Sequence, residues 1–189
     1  MNVLSLVLLI VVTGASFFLK RRSLVSGIQK IFKYIFWISV LLFFIFLVYQ
    51  TRQQFLLWQN NASSMYLVPP YQGISYFLKY AFYIFFAGPI IALLGAVIFL
   101  GLTKLLNKKF QERFFEKEEP YFGALSVFLI GYPGLIFYLI TVLISGLIGT
   151  FITKKRFSAY YLWFPIAIFV ILIINIWAKD LSIWQTLRL

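Results

Sequence analysis

Long apolar runs separated by short basic clusters constrain this chain more than any other feature. Residues 3–19, 31–49, 76–106, 135–153 and 159–177 each hold at most two charged side chains. A bilayer's hydrocarbon core is about 30 Å thick and takes about 20 apolar residues of helix to cross. Hydrophobic residues make up 62% of the 189 and charged ones only 12%, where a soluble domain carries about a quarter charged. One small core cannot hide that much apolar surface, so lipid must solvate it. The expected fold is all-α: a polytopic transmembrane helical bundle forming a single domain over residues 1–189. No long polar stretch is left over for a soluble domain.

The basic clusters set the threading. Thirteen of the seventeen Lys and Arg lie at 20–33, 104–117 and 154–156, against the ends of apolar runs. Such clusters stay on the cytoplasmic side. The net charge of +12 is therefore read as facing anionic headgroups. Nucleic acid, which needs a continuous basic surface, is not an expected partner. No basic residue precedes the first run, so it reads as an uncleaved span. Both the 104–117 and 154–156 clusters are placed inside, which requires an even number of crossings between them. The only turn available is Gly131-Tyr132-Pro133-Gly134. Residues 120–130 then go out and 135–153 return, for about six crossings, with both termini outside a bacterial inner membrane. The outward arm is undersized: eleven residues rise about 16 Å, half the hydrocarbon thickness. Either its helix begins earlier, near Phe110, or it is a half-helix that meets the turn at membrane depth.

Two more stretches stand out. The run 76–106 would extend about 46 Å as a straight helix, and Gly88-Pro89 predicts a kink in it, since proline removes a donor and crowds the preceding turn. Gly88, Ala92 and Ala96 form a small-residue face, expected to meet Ser145, Gly146, Gly149 and Thr150. Residues 50–75 are rich in Gln and Asn and carry Trp58, Tyr66, Tyr71 and Pro69-Pro70. Trp and Tyr collect at headgroup depth. This segment reads as an interfacial helix at 53–58 followed by a proline turn, or as a recognition surface for an outside partner.

Little catalytic chemistry is on offer. With no cysteine and no histidine, zinc and haem sites, thiol nucleophiles and Ser-His-Asp triads are excluded, and no cofactor is expected. No ionisable residue lies in the middle of a span, where charge marks pumps and proton relays. Four of the five acids fall between Glu112 and Glu119. Glu118-Glu119-Pro120 suits the start of a helix, where acids and proline are favoured. Glu118 and Glu119 are also the candidate docking site for a basic partner. The balance leans away from an enzyme.

Residues 118–175, running EEPYFGALSVFLIGYPGLIFYLITVLISGLIG, then a basic turn and YYLWFPIAI, resemble the C-terminal half of bacterial prepilin peptidases. The shared order is a helix start, a glycine-proline break, a glycine-rich span, a basic loop and a proline-containing span. Phe122-Gly123-Ala124-Leu125 stand where that family places a catalytic aspartate, so the resemblance implies a membrane fold and no catalytic residue. The chain is similar as well to small bacterial polytopic membrane proteins. The expected function is that of a non-enzymatic scaffold or packing subunit of an envelope assembly, with other membrane proteins as partners. The alternatives are a small-molecule or lipid transporter, which would use the breaks at Gly88-Pro89 and Gly131, Pro133 and Gly134, and a degenerate prepilin-peptidase-like protein.

Overall fold

A computed structural model describes residues 2–21, 28–110, 119–153 and 162–176. All regular structure among them is helical: α1 (Asn2–Arg21), α2 (Ile28–Asn60), α3 (Ile74–Ala81), α4 (Ala87–Lys109), α5 (Glu119–Ile130), α6 (Gly134–Thr153) and α7 (Trp163–Ile176). A π turn at Phe82–Phe86 joins α3 and α4 into one rod, Ile74–Lys109. That rod, α2 and α6 are long and apolar enough to cross a membrane. The protein is a polytopic helical membrane bundle with one short helix.

The short helix is the centre. All 12 residues of α5 are buried, and α5 packs against α1, α2, α4, α6 and α7. The long helices are the shell. In their most apolar stretches only 33% of α2, 17% of the α3–α4 rod and 11% of α6 is buried. Each contributes a stripe at helical spacing. On α2 it is Phe32, Phe36, Ser39, Val40, Phe43 and Leu47; on α4 it is Pro89, Ala92, Ala96, Thr103 and Asn107. This is a helix period with one buried face, and the outward faces, such as Leu41, Ile45 and Val48, are left to lipid.

Cross-contacts give α5 a level in the bundle. Its Phe122 meets Phe32 edge-on at 4.1 Å, and Phe128 meets Phe43 at 5.3 Å, so α5 runs parallel to the first half of α2. Against α4 it runs antiparallel: Tyr121 lies by Lys104, Gly123 by Phe99 and Val127 by Gly95. The α5–α6 turn therefore sits near Gly95, about 14 Å up α4 from Lys104. The described part of α5 is 12 residues, about 18 Å of rise. Residues 111–118, where an earlier start would fall, lie outside the described residues, and Phe110 itself belongs to the end of α4. Its N–H donates to Leu106 O and it closes α4.

Three expectations are corrected. The second span does not stop at 49 with a separate interfacial helix beyond it. Residues 50–60 continue α2, because Gln and Arg are good helix formers and no Gly or Pro interrupts them. The irregularity near Gly88-Pro89 appears one turn earlier, as the π turn. Pro89 has no N–H for the Phe85 carbonyl, and the turn widens so that Ala87 N–H reaches Phe82 O. The small face of α4 packs on α5 rather than on 145–150. Ala92 and Ala96 are fully buried, whereas a methyl added at Gly88 or Gly146 would touch nothing within 4 Å.

Gly123 is the tightest point. A methyl there would run into the Phe99 ring and come within 3.0 Å of Trp163. Gly123→Ala is expected to cost about 1–3 kcal/mol by overpacking, while Gly88→Ala stays within about 1 kcal/mol of wild type. Thermal unfolding of the two variants in detergent checks this; equal midpoints would mean that α4 and α5 are not in close approach.

Candidate functional site

The break between α5 and α6 is the place where irregular backbone lies inside the bundle. Gly131 has φ 76°, in the left-handed region that glycine enters without a Cβ penalty. Its N–H donates to Val127 O at 3.3 Å and its carbonyl accepts from Leu135 N at 2.9 Å. Pro133 O accepts from Ile136 N at 3.3 Å. Gly131, Pro133 and Gly134 are all buried. Unpaired backbone groups are costly in hydrocarbon, and a non-helical turn is tolerated there only where protein or water covers it. Here protein does so.

A buried polar hub lies beside the break. Tyr138 Oη on α6 donates to the Trp163 carbonyl at 3.0 Å, and Ser126 Oγ on α5 donates to the same oxygen at 3.5 Å. Ser126 and Tyr138 are completely buried. One carbonyl at the start of α7 thus ties three helices together. Trp163, a residue type that collects at headgroup depth, is here 3% exposed. Its ring stands edge-on to Phe99 at 5.5 Å and blocks Gly123 from the other side. Reading the sequence for motifs missed this hub. The signals available were Ser126, the one hydroxyl amino acid besides Tyr121 in the run 120–130, and Tyr138 inside an apolar span, where a buried tyrosine hydroxyl needs a partner. Both hydroxyls lie within hydrogen-bonding reach of one carbonyl. The hub is a clasp.

The mouth of α5 holds three further buried polar side chains, on α5 and α4. Glu119, in the first turn, is 1% exposed, and Thr103 and Asn107 on α4 are 3% and 9% exposed. Lys104 Nζ donates to Tyr121 Oη at 2.9 Å and lies 4.5 Å from the same ring. The expected surface docking role of Glu119 is corrected on this point: α5 is drawn into the bundle, and its first turn goes with it. Glu118 falls outside the described residues.

At the far end, Trp58 does not form an outward platform. Its ring packs on Tyr80 at 4.6 Å and Phe77 at 5.3 Å, beside Phe55. Tyr66 and Tyr71 are exposed and pack against each other at 5.0 Å. These aromatics pack at the far end of α2 and α3, away from the buried Gly131–Gly134 turn.

Fold and interior together define a helical membrane protein built around a buried central helix. Comparison with protein-family models, with curated proteins and with solved structures finds no match. Nothing in those comparisons bears on the prepilin-peptidase resemblance.

Gly131→Ala is expected to destabilise by about 1–2 kcal/mol through left-handed strain, and Tyr138→Phe by about 1 kcal/mol through the lost hydrogen bond. Detergent unfolding of each variant measures both; a Tyr138→Phe variant as stable as wild type would remove the clasp from the energetics.

Proposed function

We propose that the protein is a non-enzymatic packing subunit of a bacterial inner-membrane assembly, with both termini outside. The observation that carries this reading is the filled centre. Of the two breaks a transporter would use, the one at Gly131–Gly134 is a buried, hydrogen-bonded turn, and the helix leading to it is buried over all its described residues. The buried hydroxyls are spent on holding helices together, which favours a rigid part over a reacting or transporting one.

The second half of α6 supplies a surface on which another helix would rest. α6 packs against α5 and α7, and Leu147, Phe151 and Ile152 are 70%, 87% and 74% exposed. Ser145, Gly146, Gly149 and Thr150 lie on the same two turns, small residues that let a neighbouring helix approach closely.

Purification in mild detergent, with identification of co-purifying chains, tests the reading; a protein recovered alone speaks against it. Gly146→Leu should release the partner while leaving the unfolding midpoint unchanged, since the site is open within the chain. Threading is tested separately with single cysteines in this cysteine-free sequence. A membrane-impermeant maleimide should label Ala62→Cys from outside and Ser26→Cys and Ser158→Cys only after permeabilisation. The reverse pattern would invert the bundle.

A further inference from the structure

Two rods outrun the membrane at the same end. Lys30 and Lys33 mark one end of α2, and Lys104, Lys108 and Lys109 mark the corresponding end of the α3–α4 rod. A hydrocarbon thickness of about 30 Å from these lysines is about 20 residues of helix, which ends near Tyr49 on α2 and Tyr83 on the rod. The two levels agree with the ring contacts: Phe44 lies by Phe86, and Phe55 by Phe77. Tyr49 and Tyr83 are 56% and 69% exposed, the setting of an interfacial aromatic belt.

Above this belt the chain folds into a lobe with its own small core. Val68, Phe77 and Ala81 are buried under Phe55, Trp58, Tyr80 and Phe85. Between residues 34 and 103 the only charged side chains are Arg52 and Lys79, and no acidic residue precedes Glu112. Arg52 and Lys79 are both exposed. By helical rise they stand about 3–6 Å above the belt, within the headgroup layer of about 5–7 Å on each side of the hydrocarbon.

We propose that the neck of this lobe is a contact site for anionic phospholipid headgroups. Arg52 and Lys79 lie at phosphate level, with Tyr49 and Tyr83 below them at the glycerol region. Two exposed cations at one height on neighbouring rods complement a phosphate layer. The proposal is independent of any partner on α6.

The test uses the full chain in vesicles of phosphatidylcholine containing a set fraction of doxyl-labelled phosphatidylglycerol or doxyl-labelled phosphatidylcholine. A fluorophore is placed at Gln53→Cys, an exposed position next to Arg52. Labelled phosphatidylglycerol should quench it more than labelled phosphatidylcholine, with a relative occupancy of about fivefold for each charge engaged. In R52Q/K79Q the ratio should fall to parity, and in K30Q/K33Q, at the opposite end, it should persist. Equal quenching by the two lipids in the wild-type background overturns the anionic preference. Quenching by neither lipid, with full quenching by aqueous iodide, overturns the headgroup location and makes the neck a protein-facing surface instead.

Discussion

The irregular turn between α5 and α6 must be covered by protein, and the rest of this bundle follows from that requirement. α5 rises about 18 Å and stops at a turn whose amides and carbonyls cannot face hydrocarbon. α1, α2, α4, α6 and α7 close around it, and the turn ties its own backbone groups through Val127, Leu135 and Ile136. Because lipid tails are as apolar as the side chains, burial alone does not hold such helices together. Close packing and hydrogen bonds between helices do. Gly123 supplies the close approach, and the Trp163 carbonyl supplies the bonds.

The usual relation between length and depth is reversed here. In a soluble bundle the long amphipathic helices bury most. In this chain the long helices are apolar all round and keep most of that surface toward lipid, each giving up one narrow stripe. The short one is buried on every face. The polar groups sort accordingly. Ser126 and Tyr138 are deep and paired with backbone, Glu119 and Asn107 are buried at one mouth, and Arg52 and Lys79 are exposed at the opposite end. The extra length of α2 and the α3–α4 rod goes into a lobe with a separate aromatic core, joined to the bundle by continuous helix rather than by a loop.

Much of the architecture is legible in the runs of residues alone. The apolar stretches, their basic flanks and the Gly131–Gly134 break mark six helical segments, and the short arm at 120–130 matches α5 within one residue. What is not legible is who touches whom. A run such as 31–49 is bulky on all sides, so nothing in its pattern selects the Phe32–Leu47 stripe. Small-residue spacing on α4 and α6 suggested that those two faces meet, yet α5 lies against α4. Glu119 has the composition of a surface cap and the environment of a core residue. Trp163 has the composition of an interface anchor and serves as the wall behind Gly123.

By itself the sequence determines that the chain lives in a bilayer, where its apolar runs lie, and that the apolar arm at 120–130 is shorter than a full crossing. Those properties depend on local composition: transfer free energy per residue, helix propensity and the positions of glycine, proline and lysine. Only the tertiary structure decides that α5 is the centre, that the turn after it is buried and that a tyrosine and a serine share one carbonyl. Those depend on contacts between residues 25 and 37 positions apart. In a chain whose surface and core are equally apolar, hydrophobicity does not distinguish one contact from another.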